Sequence, residues 1–92
     1  MENPDTCTIQ GKIVVMQDGK KIPPYDVEIR QFKDKKLILM TIPDTIGNFI
    51  IRHIPKNSGQ YEIDFVLEDF DTVKVKVMVN NQDVNLGTIV VE

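Results

Sequence analysis

Apolar residues in this sequence alternate with polar ones over short runs, and this period of two is what most restricts the fold. In residues 73–79 valines recur at every second position, and residues 60–68 repeat the pattern with aromatic and aliphatic side chains. A period of two places one set of side chains on one face of a β-strand, whereas a helix needs a period of 3.6. No stretch combines a helical period with capping residues, so the sequence predicts an all-β protein.

Seven segments separated by turn residues are predicted as strands: 8–16, 27–31, 37–42, 48–54, 60–68, 73–79 and 84–92. Between the first two, Asp18-Gly19 is a turn signal, and Ile22-Pro23-Pro24-Tyr25 is expected to be an extended connection because proline lacks the N–H donor. Seven short strands with turns between them are typical of an antiparallel β-sandwich. We expect one domain over residues 8–92, preceded by a flexible lead-in over residues 1–7.

Two glycines lie inside predicted strands. Gly11 interrupts the first strand, which predicts a bulge or a close approach by another backbone. In the last strand the apolar set shifts by one residue after Gly87, from Leu86 to Ile89. One extra residue in a strand produces this change of phase, so a β-bulge is predicted at Gly87.

The charge balance excludes some classes of partner. The chain has 92 residues, a formal net charge of -3 and a hydrophobic fraction of 41%, as expected for a folded domain. A general nucleic-acid binder needs a basic face to neutralise phosphates, so no nucleic acid is expected. No apolar run approaches the roughly 20 residues that cross a bilayer, so no membrane insertion is expected. The opening residues are polar and acidic, unlike a signal peptide.

Charges also predict one strand pairing. If the fifth and sixth predicted strands form a hairpin around residues 68–71, Glu62 and Asp64 lie opposite Lys74 and Lys76. Opposite charges that face each other across a strand pair contribute roughly 0.2–1 kcal/mol each. The pattern indicates a solvated sheet face that also sets the register.

Candidate chemical groups are few. His53 is the one histidine, and a hydrolytic triad also needs an orienting acid and a nucleophile, for which no G-x-S-x-G motif is present. Cys7 is the one cysteine, so neither a disulfide nor zinc-ligand spacing is available. The acids Glu68, Asp69 and Asp71 lack the spacing of a calcium loop and indicate a charged turn. We therefore predict no catalytic residue, cofactor or metal, and no role is assigned to His53 or Cys7.

The third predicted strand provides the best functional indication because it is apolar on both faces. Leu37 and Leu39 are expected on one face and Ile38, Met40 and Ile42 on the other. If the following turn were a hairpin, Ile50 would join the second set. Ile38, Met40, Ile42 and Ile50 would then form an exposed partner patch, although a loop could also cover this face.

Several short motifs together resemble the carboxypeptidase regulatory-like, or transthyretin-like, β-sandwich domains. The resemblance covers residues 8–91 and rests on the following segments: Thr8 to Ile13 with its central Gly11, Asp18-Gly19 through Pro23 to Val27 and Ile29, Thr41 to Gly47 and Phe49, Ile54-Pro55, Gly59 with Tyr61, and Val84 to Val91. Departures from the family pattern occur at Tyr25-Asp26 and in residues 43–47. The resemblance implies a Greek-key sandwich, a non-catalytic accessory role in an exported bacterial protein, and an extracytoplasmic location, in the periplasm or at the cell surface.

The preferred hypothesis is a module for protein–protein interaction or structural positioning, with another copy of itself among the candidate partners. The alternative is a small carbohydrate-binding module. Sugar sites commonly use exposed aromatic residues, but the chain has no tryptophan, and Tyr25 is the tyrosine not assigned to the core. A hydrolase built around His53 is disfavoured for want of the other residues.

Overall fold

The computed structural model describes residues 5–92, which form eight β-strands and no helix. The strands are β1 (Thr6–Gln17), β2 (Lys20–Ile22), β3 (Glu28–Lys33), β4 (Lys36–Thr41), β5 (Asn48–Pro55), β6 (Gly59–Val66), β7 (Val73–Val79) and β8 (Val84–Val91). Accordingly, the described range contains no helix long and apolar enough to span a membrane. The predicted all-β class is confirmed.

The strands form two four-stranded sheets. In the first sheet β1 lies between β8 on one side and β5 on the other, and β2 pairs with the far end of β1. In the second sheet the order is β4-β3-β6-β7. The chain therefore passes from one sheet to the other after β2, β4, β5 and β7, which confirms the predicted sandwich. One pairing is not antiparallel, because β1 and β8 run parallel.

The eighth strand, β2, is the segment that the sequence did not predict. Asp18 and Gly19 have φ of 51° and 78° and join β1 to β2 in a two-residue turn. Such turns favour Asp-Gly because both central residues need positive φ. The pairing extends only from Lys20 to Ile22, since Pro23 has no N–H to continue it. The expected extended connection therefore begins at Pro23.

The core lies between the sheets and is built from the alternating residues. Phe49 of β5 and Phe65 of β6 meet across the interface, with ring centroids 5.4 Å apart in an edge-to-face arrangement. Each fully buried aliphatic or aromatic side chain contributes about 1.5–3 kcal/mol. The buried set also contains Cys7, Ile9, Ile13, Val15, Val27, Ile29, Ile51, Ile54, Tyr61, Ile63, Val77, Val79 and Val91.

Gly11 and Gly87 lie close together where β1 pairs with β8. In the β1–β8 pair Gln10 lies opposite Asn85 and Lys12 opposite Thr88, so β8 carries one extra residue at this point. Gly87 has φ of 71°, and its carbonyl oxygen would lie 2.9 Å from a Cβ placed on Gly11. The predicted bulge at Gly87 and the predicted close approach at Gly11 are both confirmed.

The first strand begins earlier than expected. Thr6 and Cys7 belong to β1 and pair with β5, although the sequence placed them in a flexible lead-in over residues 1–7. Burial of the Cys7 side chain explains the difference, because a core residue holds the strand end in place. The remainder of that lead-in, residues 1–4, lies outside the described residues.

Candidate functional site

The connection between β4 and β5 is a turn organised by Asp44. Its Oδ1 accepts hydrogen bonds from the backbone N–H groups of Ile46 (3.1 Å) and Asn48 (2.8 Å). Gly47 has φ of 99°, and its carbonyl accepts a 2.8 Å hydrogen bond from the N–H of Ile13. A Cβ on Gly47 would collide with the carbonyl oxygen of Ile13, so this position requires glycine.

This turn is not a hairpin, because β4 and β5 belong to different sheets. The condition under which Ile50 would join Ile38, Met40 and Ile42 is therefore not met. The chain instead crosses the side of the sandwich, and β4 becomes the edge of the second sheet with β3 as its partner strand. One row of N–H and C=O groups on β4 consequently faces away from the sheet.

The edge strand β4 is exposed along its whole apolar stretch. Leu37, Ile38 and Met40 retain 54%, 54% and 56% of their accessible surface, and Leu39 retains 39%. Neither face of the strand is covered by a loop, which was the alternative that the sequence left open. We call Leu37, Ile38, Leu39 and Met40 the β4 surface.

A bulge changes the orientation of the first residues of β4. Gln31 lies opposite Leu39 and Phe32 opposite Leu37, so Ile38 is an extra residue without a partner position in β3. Residues directly opposite in a pair share a face of the sheet. Leu37 therefore shares the outer face with Met40, whereas the sequence placed Leu37 with Leu39.

The structure separates the four residues of the predicted patch into two pairs. Ile38 and Met40 belong to the β4 surface. Ile42 and Ile50, exposed to 63% and 38%, line a depression of about 710 Å³ on the outer face of the first sheet. All four side chains are accessible, but they do not form one continuous group within a single sheet.

The predicted charge register is present on the outer face of the second sheet. Glu62 lies opposite Lys76 and Asp64 opposite Lys74. Within residues 5–92, however, neither lysine closes to an ion pair with these acids, and Arg30 turns instead to Glu28, with Nη2 2.6 Å from Oε2. The register of these two strands was predicted correctly, although the opposite charges do not form ion pairs.

Asp64 is unexpectedly buried for a residue on an outer face. It is only 8% exposed, and its Oδ1 has no hydrogen-bond partner. Burial raises the pKa of the Asp64 carboxyl, and the adjacent Glu62 raises it further through a hydrogen bond and its charge. Alternation alone did not reveal this, because it does not show that Asp64 lies between two long side chains, with Arg30 of β3 opposite it on one side and Lys74 of β7 on the other.

The remaining candidate groups, His53 and Cys7, do not form a common site. His53 is exposed and has φ of 61° in a bulge, where Arg52 and His53 together face Thr8 of β1. Cys7 is 3% exposed, and burial, with a smaller contribution from Asp83, raises the pKa of its thiol. Among the residues that the structure describes, no three His, Cys, Asp or Glu side chains are close enough to hold a metal ion.

Tyr25, the aromatic residue of the carbohydrate hypothesis, is 49% exposed. It lies in the turn between β2 and β3, outside the residues that line the depression beside Ile42 and Ile50. The other tyrosine, Tyr61, is buried, and its hydroxyl donates a 2.8 Å hydrogen bond to Ser58. Tyr25 therefore lies apart from this depression.

One comparison with known proteins is informative. The chain is similar in structure to GBS52, the minor pilin of the Gram-positive pathogen Streptococcus agalactiae, with a TM-score of 0.66 and 14% sequence identity. The superposition covers 95% of this chain and 44% of the pilin chain. No protein-family model matches the sequence, and no curated protein matches it. The similarity supports the β-sandwich, and the transthyretin-like family itself stays a prediction.

Proposed function

We propose that this chain is a non-catalytic accessory β-sandwich module that binds or positions a protein partner through the β4 surface. The observation that carries the proposal is that an edge strand exposes large apolar side chains on both of its faces. Exposed apolar groups of this kind mark interaction sites, and an open strand edge adds unpaired backbone groups for a partner strand. The free energy of association would come mainly from the burial of these side chains.

The partner proposed here is a second copy of the chain, paired through antiparallel β4 strands. In such a pair centred on β4, Lys36 of one copy lies opposite Thr41 of the other, so the lysines of the two copies stay at opposite ends. Parallel pairing would set lysine against lysine. Opposite charges across a strand pair are stabilising and like charges are destabilising.

Two features limit how tight this association can be. The bulge at Ile38 interrupts regular hydrogen bonding along the β4 edge, and Lys35 and Lys36 place charges at one end of it. Natural proteins use both devices to restrain edge-to-edge pairing. We therefore expect a weak, reversible dimer that depends on apolar contacts more than on a long ladder.

We further propose an extracytoplasmic role, in the periplasm or at the cell surface of a bacterium. Support comes from the resemblance to accessory domains of exported proteins and from the fold similarity to a minor pilin. Because the chain spans 44% of that pilin's length, a positioning role within a larger assembly is included in the same proposal.

The experiment is sedimentation equilibrium of the wild-type chain and of the double variant Ile38→Lys, Met40→Lys at micromolar to millimolar concentrations. We expect the average mass of the wild type to rise with concentration and that of the variant to remain monomeric. Two buried lysines in the contact would each lose hydration, so the dimer should weaken at least about a hundredfold.

The matched control is Met78→Lys, Val90→Lys, since these residues are also exposed, at 55% and 44%, but lie outside β4. Circular dichroism establishes that each variant is folded. A wild-type chain that stays monomeric at millimolar concentration, or a β4 variant that dimerises like the control, would show that the proposal is wrong.

A further inference from the structure

The depression on the outer face of the first sheet is a regular grid of side chains from three strands. In one row Gln10 of β1 lies between Ile50 of β5 and Asn85 of β8, each directly opposite it. In the next row Lys12 lies between Asn48 and Thr88 in the same way. Strand spacing makes each row span about 10 Å, and the rows lie about 7 Å apart.

The rest of the chain gives this grid a wall and a low floor. Thr41, Ile42 and Asp44 rise beside it, because the β4–β5 connection crosses the side of the sandwich at this point. Between the two rows lies the backbone of Gly11 and Gly87, and a Cβ placed on Gly87 would meet open space. The depression is open to solvent, and its volume of about 710 Å³ is within the roughly 300–1,000 Å³ typical of small-ligand sites.

The lining combines polar with apolar side chains, is nearly neutral and is carried mainly by three strands. Gln10, Asn48 and Asn85 supply amide groups, which can donate and accept hydrogen bonds, and Thr88 supplies a hydroxyl. The Oδ1 of Asn85 already accepts a 2.8 Å hydrogen bond from the N–H of Gly87, which fixes this amide and leaves its NH₂ group to donate to a ligand. Lys12 and Asp44 contribute one charge of each sign, which leaves no net charge to select an ion.

We propose that this depression binds a neutral polyhydroxylated ligand, namely a short oligosaccharide. A sugar carries many hydroxyl groups that both donate and accept, which matches three amides and a hydroxyl. Its apolar C–H face can contact Ile42 and Ile50 at the edge of the grid. A protein partner would instead require a desolvated core with aromatic or arginine anchors, and the grid has none.

This site differs from the one that the sequence suggested for a sugar, since Tyr25 does not line it. It is also separate from the β4 surface proposed to bind a second copy. None of the residues of that surface, Leu37 to Met40, lines the depression. The two proposals can therefore fail independently.

The test is a titration of the ¹⁵N-labelled chain with neutral trisaccharides of glucose, mannose, galactose and N-acetylglucosamine, followed by NMR. We expect at least one of them to shift the signals of Gln10, Lys12, Asn48, Asn85 and Thr88 with a millimolar dissociation constant. The double variant Gln10→Leu, Asn48→Leu removes two exposed amides without touching the core, and we expect binding about tenfold weaker or undetectable.

The matched control, Gln60→Leu, Asn81→Leu, changes the same residue types at exposed positions outside the grid and should bind like the wild type. If no trisaccharide shifts the grid signals, or if the grid variant binds as tightly as the control, the proposal is overturned. It is likewise overturned if the grid signals shift with protein concentration in the absence of sugar, because the depression would then be a protein contact.

Discussion

Asp64 is a buried acidic residue whose surroundings disfavour its charged form. Its carboxyl is 8% exposed with one oxygen unpaired, and burial together with Glu62 raises its pKa. The folded chain thus holds this proton more tightly than the unfolded chain. The resulting stabilisation is fully present below the ordinary value of 3.8 and is lost as the pH rises through the raised pKa.

From this sign we predict that Asp64→Asn stabilises the fold at neutral pH by about 1–2 kcal/mol, because an unpaired buried charge is removed. At a pH below 3.8 the gain should largely disappear, since the wild-type carboxyl is then neutral. Urea denaturation at both pH values measures this, with the exposed Glu68→Gln as control. An equal gain for Asp64→Asn at both pH values would contradict the assigned cause.

At the scale of elements, the β3–β4 hairpin contains a correctable strain. Asp34 and Lys35 form its two-residue turn with φ of 51° and 66°, a conformation that costs a non-glycine residue about 1–2 kcal/mol. We predict that Lys35→Gly stabilises the chain by about 0.5–1 kcal/mol, after allowance for the greater freedom of glycine when unfolded.

The neighbouring Lys36→Gly is the matched control for this hairpin. Lys36 is in β4 and has no positive φ, so glycine there should destabilise the chain by a similar amount. Thermal unfolding followed by circular dichroism compares the two. If both variants changed the melting temperature in the same direction, the turn strain would not be the reason.

Elements also show what the sequence could and could not reveal. Buried strands such as β6 and β7 were predicted because alternation is imposed by the core, and the Gly87 bulge was visible as a change of phase. The topology was not visible at Asp44, since the same turn residues can close a hairpin or cross between sheets. The bulge at Ile38 could not be seen in the sequence. A bulge shows as a shift in the alternation of apolar and polar residues, and β4 has no such alternation because every position from Leu37 to Met40 is apolar.

The same limits apply to the candidate sites. The apolar character of Ile38 and Met40 was enough to mark the β4 surface. The amide grid was missed because its members, Gln10, Asn48 and Asn85, are far apart in sequence and ordinary as outward strand residues. Only the register of three strands places them side by side.

At the scale of the whole molecule, the rate at which the Cys7 thiol reacts with a reagent measures how often the sandwich opens. Its thiol is buried in β1 at the junction with β5, so a reagent reaches it only after these strands separate. We predict alkylation by iodoacetamide in the native state at least about a thousandfold slower than in urea, as expected for a domain of ordinary stability. The exposed variant Asn81→Cys, on a Cys7→Ser background, provides the unprotected rate, and native labelling of Cys7 at that rate would refute the assignment.

The parallel pairing of β1 with β8 determines how the domain responds to tension. The first and last strands lie side by side with the same direction, and Val15, near the end of β1, is opposite Val91, at the end of β8. A force that pulls the start of β1 away from the end of β8 therefore acts along both strands and strains their shared hydrogen bonds simultaneously. Such a shearing geometry resists extension far better than an arrangement in which the bonds would break in succession.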